Sequence, residues 1–219
     1  MTSLDAAPRS GVDTFVRYGL IAAAVIAPLS IAISLFLSPA TTTTSDAAYV
    51  TAFGTHLSSY PMMAWIGLIS GLLMVPAALA VGRVGRAGAP VLGLVGMILA
   101  VAGSLPGGNN SDEVLYSAYK SGLDGASITK LYDYLVNKAP SAMLFWLFMA
   151  GLLGFLLLGV AALIGRSAAP WAAIALIVAP ILVPIAWIAG LSVMVAAGAW
   201  VLMTIGMGGV ALGLLNPRA

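Results

Sequence analysis

"SAAPWAAIALIVAPILVPIAWIAGLSVMVAAGAWVLMTIGMGGVALGLLNP", residues 167–217, contains no Asp, Glu, Lys, Arg or His. As one continuous helix these 51 residues would run to roughly 77 Å at about 1.5 Å per residue, more than twice a hydrocarbon core of about 30 Å. The stretch must therefore fold back, and Ala189, Gly190 and Ser192 mark the place. An apolar hairpin of this size is a pair of membrane spans, at 168–189 and 191–215.

Working outward, four more charge-free apolar segments occupy 18–37, 62–81, 87–105 and 141–165, each long enough to cross a hydrocarbon core of about 30 Å. Composition agrees. The 219 residues are 61% hydrophobic and only 7% charged, with a mean hydropathy of +1.07, whereas soluble domains carry about 25% charged residues. The fold expected is an all-α integral membrane protein, a six-transmembrane-helix bundle forming one domain over 1–219. Pro61, Pro90, Pro140 and Pro170 open spans two to five, where a missing N–H leaves no helical bond unmade. Pro28, Pro76, Pro180 and Pro184 lie deeper and should kink their helices.

With the N-terminus inside, Arg9, Arg17, Arg83, Arg86, Arg166 and Arg218 fall on the cytoplasmic side, and Lys120, Lys130 and Lys138 outside. The excess of inner basic residues selects an N-in, C-in topology. A signal peptide is the alternative for span one, with Ser38 and Ala40 as the small residues of a cleavage site. Its apolar run of twenty residues exceeds a usual signal core of about 7–15, and favours retention.

The wettest stretch is "SDEVLYSAYKSGLDGASITKLYDYLVNK", residues 111–138, which holds seven of the sixteen Asp, Glu, Lys and Arg residues. It reads as two short outer helices, the first capped by Ser111 with Asp112 and Glu113 in its first turn, the second capped by Ser127. "SGLDG" separates them. A second outer amphipathic segment covers about 46–57, after a "TTTT" loop at 41–44.

These outer segments belong to an internal repeat. A shift of 79 places "YVTAFGTHL" (49–57) on "ITKLYDYLV" (128–136) and Pro61 on Pro140; a shift of 80 places Gly71, Leu72 and Leu73 on Gly151, Leu152 and Leu153, and "GRAGAP" (85–90) on "GRSAAP" (165–170). One helical face recurs, Tyr49, Ala52, Phe53, His56 and Leu57 against Ile128, Leu131, Tyr132, Leu135 and Val136. His56 alone breaks the apolar match. The repeating unit is a parallel hairpin: a span out, an outer amphipathic helix and a span back, with spans five and six as a third hairpin lacking the outer helix. Lys130, Asp133 and Asn137 are expected to face water.

Chemistry is sparse. No ionisable residue lies deep in a predicted span, which argues against proton relays, voltage sensors and ion-coupled transporters. There is no HExxH, no GxGxxG after a strand and no cysteine, and the single His is in an outer segment. Asp112, Glu113, Asp124 and Asp133 match no catalytic spacing and read as solvated helix charges. No catalytic residue, metal site or cofactor is expected, and the net charge of +2 gives no reason to expect a nucleic-acid partner. "NNS" at 109–111 reads as turn and cap preference rather than a glycosylation site. Trp65, Trp146, Trp187 and Trp171 sit near span ends as interfacial anchors, while Trp200 falls mid-span and faces lipid, a helix interface or a cavity. Gly67 with Gly71, Ala150 with Gly154, and Gly209 with Gly213 have the spacing of closely packed helix faces, within the bundle or against a partner.

The passages "SGLLMVPAALAVGRVGRAGAP" (70–90) and "FLLLGVAALIGRSAAPWAA" (155–173), with the long outer connectors, resemble the small six-span proteins of high-GC Gram-positive bacteria of the DUF4386-like kind. That resemblance implies a multi-pass bacterial plasma-membrane protein and brings no catalytic residue with it. Three functions follow in order. The first is a non-catalytic accessory or interaction subunit of a larger membrane complex, or a self-associating chain, with membrane lipids around it. The second is a binder or carrier of a lipid-like or small apolar molecule beneath the outer helices, near Tyr49, Phe53, His56, Leu131, Tyr132 and Leu135. A membrane enzyme is third. An open apolar pocket under the outer helices would favour the carrier, and a closed bundle the subunit.

Overall fold

The computed structural model describes residues 11–38, 45–104, 111–138 and 143–216. Arg9, Arg218, Ala40, Pro140, the 41–44 loop, Asn109 and Asn110, and the expected span limits at Leu105 and Ser141 lie outside them. The described residues are helical throughout their regular structure: α1 (Gly11–Leu37), α2 (Asp46–Thr55), α3 (Tyr60–Gly88), α4 (Pro90–Ser104), α5 (Ser111–Lys120), α6 (Gly125–Asn137), α7 (Met143–Ile164), α8 (Pro170–Ile188) and α9 (Val193–Ala211), closed by a 3-10 turn, Leu212–Leu215. Five of these, α1, α3, α7, α8 and α9 with its terminal turn, are long and apolar enough to cross a membrane, and α4 is a shorter apolar helix. At 15 residues α4 is about 22 Å long.

Pro61, Pro90 and Pro170 occupy first helical turns as their missing amides require. Pro28, Pro76, Pro180 and Pro184 stand inside α1, α3 and α8, and the helices run through them. The fold-back comes at Gly190, whose left-handed φ of 61° lets the Leu191 amide donate to Ala186 O and the Gly190 amide to Trp187 O, a glycine-closed helix end. The same motif at Gly122 (φ 78°) ends α5, with the Leu123 amide on Ala118 O.

Packing follows a regular order. α3, α7 and α9 touch one another at the centre, and each of α1, α4 and α8 lies between two of them: α1 against α3 and α9, α4 against α3 and α7, α8 against α7 and α9. Small residues permit this. Gly154 of α7 meets the α4 backbone at Gly96 and Ala100, Gly103 of α4 meets Gly151, and Gly88 meets Gly165. Between them the buried centre is filled by alanines and by Val81, Val84, Leu158, Leu176, Met203 and Met207.

The two ends of the bundle differ. At one end the α3–α4 turn touches the α7–α8 turn through Gly88 and Gly165, and Arg17 of α1 donates from Nη1 to Leu214 O at 2.8 Å. The starts of α1, α4 and α8 therefore share an end with the finishes of α3, α7 and α9. Arg17, Arg83, Arg86 and Arg166 are at this end; α2, α5 and α6 cover the other.

Two details differ from expectation. α6 is capped by Asp124, whose Oδ1 accepts the Ala126 and Ser127 amides at 3.0 Å, rather than by Ser127, whose hydroxyl bonds Asp124 Oδ2. A carboxylate one residue beyond Gly122 and Leu123 reaches both free amides at once, so the helix starts a turn earlier. α3 extends to Gly88 rather than 81, because a helix persists beyond its apolar stretch while its backbone stays paired.

Candidate functional site

The capped end has an apolar cluster of its own, built from Val50 and Phe53 of α2, Tyr60 at the start of α3, Leu115 and Ala118 of α5, and Ile128 and Tyr132 of α6. α2 starts at Asp46, where Ser45 Oγ accepts the Ala48 amide at 3.3 Å. It stays close to α5 because Gly54 lacks a side chain: a Cβ there would lie 2.5 Å from the Tyr119 hydroxyl. That hydroxyl donates to Val50 O at 2.7 Å.

Aromatic rings run through the cap in series. Tyr132 stacks on Tyr49 at 5.0 Å, Tyr49 on Phe53 at 6.4 Å, Phe53 tilts against Tyr60 at 5.5 Å, and Tyr60 stacks on Tyr116 at 4.7 Å. Lys120 Nζ ends the series 5.5 Å over the Tyr116 ring, a cation–π contact. Such offset ring pairs contribute beyond their buried area, about 0.5–1.5 kcal/mol each.

Two adjacent carboxylates fasten this cluster. Tyr49 donates to Asp112 Oδ1 at 2.7 Å, and Tyr60 donates to Glu113 Oε2 at 2.7 Å. Burial raises the Asp112 carboxyl above its ordinary range, and the Tyr49 bond offsets part of that rise. Burial first, then the Asp112 charge, pushes the Tyr49 and Tyr132 phenols well above their usual value. The phenols therefore stay protonated and serve as donors. On the wet side of α6, Asp133 pairs with Lys138 at 3.0 Å and accepts from Asn137, and these bonds lower its carboxyl.

Of the six residues marked as a ligand or lid face, Tyr49, Phe53 and Tyr132 come together in the cap, and Leu131 packs against its edge. Leu135 is half-buried outside that cluster. His56 does not share the face. It is the exposed C-cap of α2, with Nδ1 2.8 Å from Thr55 Oγ1 and 3.2 Å from Ala52 O, because the helix ends one residue before it and its φ of −126° turns the chain away. Asp112 and Glu113 were expected as solvated helix charges; Glu113 is exposed, but Asp112 is half-buried, and each accepts a phenol of the cap. Tyr60, Tyr116 and Tyr119 were not singled out by the sequence. The Tyr116 and Tyr119 spacing from Asp112 was a usable helical signal, but the partners across the cap were not.

The helix-packing candidates separate. Gly154, Gly209 and Gly213 face inward, Gly154 against α4, Gly209 against Trp171 and Ala172, and Gly213 against Val84 and Ser167. Gly71 and Ala150 are half-buried. Gly67 is exposed with no atom near its missing side chain. Trp200 is interior, 3% exposed, its ring 6.3 Å from Phe148, and its Nε1 is buried without a hydrogen-bond partner among the described residues.

Chemically, the cap is a set of phenol–carboxylate ties around stacked rings. No group of three His, Cys, Asp or Glu among the described residues is arranged to hold a metal ion. An apolar groove on the bundle flank runs between α7 and α8, past Leu152, Leu153, Pro180 and Pro184. No family model, curated protein or solved structure matches this chain.

Proposed function

We propose that this chain is a six-span bacterial plasma-membrane protein with both termini in the cytoplasm, acting as a non-catalytic accessory or interaction subunit of a larger membrane complex. The observation that carries the reading is the filled cap. Its rings pack on one another and its carboxylates Asp112 and Glu113 are tied to Tyr49 and Tyr60, so the polar groups of the outer face hold helices together. α4 counts as the sixth span because it lies between α3 and α7 and leads from the arginine end, at Gly93 beside Arg86, to Gly103 beside Gly151. The arginines at the uncapped end support an inner location for that end, and the bacterial location rests on the resemblance of the 70–90 and 155–173 passages.

On this reading the partner meets an outward flank such as that of α3, where Trp65, Leu68 and Leu72 are exposed beside Gly67. The carrier reading has one feature of its own, the apolar groove between α7 and α8, which suits an acyl or other apolar chain.

Native mass spectrometry of the protein drawn gently from its own membrane, with proteomics and lipid analysis of the same sample, separates these readings. A stoichiometric protein companion is expected. A lone chain carrying a specific apolar adduct would replace the subunit reading with the carrier. The chain has no cysteine, so single-cysteine labelling gives the topology. Ser127→Cys should react with an impermeant maleimide on intact cells, and Ala87→Cys and Ala169→Cys only after permeabilisation. The reverse pattern would invert the orientation.

A further inference from the structure

The arginine end carries charge that the fold does not use. Arg83, Arg86 and Arg166 are exposed and have no carboxylate partner among the described residues. Asp13 is the one carboxylate described at this end; Asp46, Asp112, Glu113, Asp124 and Asp133 all belong to the capped end. The Gly88–Gly165 contact brings the last turn of α3, with Arg86, beside the turn that carries Arg166. Arg17 is occupied differently, holding the start of α1 to Leu214 O.

Two further observations surround these guanidinium groups. α8 begins at the same end with Ala169 at its N-cap, which offers no side chain to the first amides, so the helix adds partial positive charge there. Large apolar side chains are exposed at the same end: Ile164, two positions before Arg166, is 68% exposed, and Trp171 and Val91, in the first turns of α8 and α4, are 57% and 78% exposed. A basic cluster sharing an end with exposed apolar surface matches a ligand that has both an anionic head and hydrocarbon tails.

We propose that this end of the bundle binds an anionic phospholipid, its phosphate held between Arg86 and Arg166 with Arg83 beside them, and its chains lying on Ile164, Trp171 and Val91. Guanidinium groups suit this role because their planar donors meet phosphate oxygens in pairs. The apolar rim selects a lipid phosphate over free phosphate. Arg166 also occupies a left-handed backbone position, φ 50°, that glycine would adopt more readily.

The test places the intact protein in nanodiscs of phosphatidylcholine and phosphatidylglycerol and measures, by native mass spectrometry, which lipid stays bound on release. Wild type should retain phosphatidylglycerol preferentially, and R86Q/R166G should lose at least about five-fold of that preference. K120Q/K130Q, at the other end, should keep it. R166G alone eases the backbone while removing a guanidinium, so its loss of lipid would not reflect misfolding. Wild-type retention in R86Q/R166G, or equal loss in the lysine variant, would overturn the proposal. Displacement of phosphatidylglycerol by millimolar inorganic phosphate would overturn the choice of a lipid. The proposal rests on the membrane-spanning reading, and the two fail separately: a chain that does not enter nanodiscs would count against that reading, and one that enters without lipid preference against this proposal alone.

Discussion

The phenol of Tyr49 donates a 2.7 Å hydrogen bond to Oδ1 of Asp112, tying α2 to the first turn of α5 across 63 positions of sequence. The groups facing this carboxylate are the phenols of Tyr49, Tyr60 and Tyr132, with Asp46 near Tyr132 and Glu113 beside it in the chain. Its charge is therefore met by hydrogen bonding rather than by a cation.

The cap should consequently be more stable in acid than near neutrality. Burial raises the Asp112 carboxyl above 3.8, so the folded cap binds a proton more readily than the unfolded chain does. That contribution is fully present below the unfolded value and is lost as pH rises through the folded one. Intrinsic-rate-corrected amide protection in α2, α5 and α6 should fall as pH climbs above the ordinary carboxylate range, and Asp112→Asn should flatten the profile. Asp124 and Asp133, both lowered, act with opposite sign at more acid pH, so the difference between variant and wild type isolates Asp112. Tyr49→Phe leaves the carboxylate without its donor and should cost about 1–3 kcal/mol. An unchanged slope in Asp112→Asn would reject the assignment.

Glycines at helix contacts should behave unlike glycines in open space. A methyl group at Gly165 would run into the Gly88 backbone, and one at Gly209 would lie 2.5 Å from Ala172 Cβ, whereas Gly198 has nothing within 4 Å. Gly165→Ala and Gly209→Ala should each lose about 1–3 kcal/mol by overpacking. Gly198→Ala should be neutral or gain up to about 1 kcal/mol from helix propensity. Thermal unfolding in detergent reads the order. Equal melting of all three would mean that the helices do not approach as described.

Arg166→Gly should raise the melting temperature in a neutral detergent. The arginine sits at a helix end in the left-handed region, φ 50°, where its Cβ costs about 1–2 kcal/mol relative to glycine. Arg166→Ala keeps the Cβ and should bring no gain. A similar rise for both variants would place the effect in the charge instead of the backbone.

Trp200→Phe should be tolerated or mildly stabilising. The indole Nε1 is buried without a partner among the described residues, and removing an unpaired donor recovers part of a penalty of about 1–3 kcal/mol. Trp200→Ala empties the space beside Phe148 and should cost about 3–5 kcal/mol. A large loss on Trp200→Phe would show that Nε1 is hydrogen-bonded in the membrane.

Much of the architecture was legible because its causes are local. The charge-free 167–217 stretch and the apolar segments at 18–37, 62–81 and 141–165 required long helices, whereas the one expected at 87–105 is the shorter α4, since α3 runs on to Gly88 and α4 starts only at Pro90. Proline positions marked helix starts, and Gly190 marked the fold-back. Residues 46–57 and 111–138 read as short helices because their apolar residues recur at helical spacing. That same spacing put Tyr49 and Phe53 on one face of the first segment and Tyr132 on one face of the other, but it could not show that the two faces meet. His56 was misplaced on the first of them, since a helix end depends on backbone geometry that periodicity does not record.

Sequence by itself determined the helix inventory, the apolar interior and the separation of arginines from the acid-rich stretch, since hydropathy, helical period and proline chemistry act over a few residues. Only the tertiary structure decided which glycines face inward, that Trp200 is interior and that Asp112 and Glu113 meet Tyr49 and Tyr60. Those outcomes depend on which helices become neighbours. In apolar helices rich in Gly, Ala and Leu, many faces are chemically alike, and the choice among them is made by close packing between distant segments.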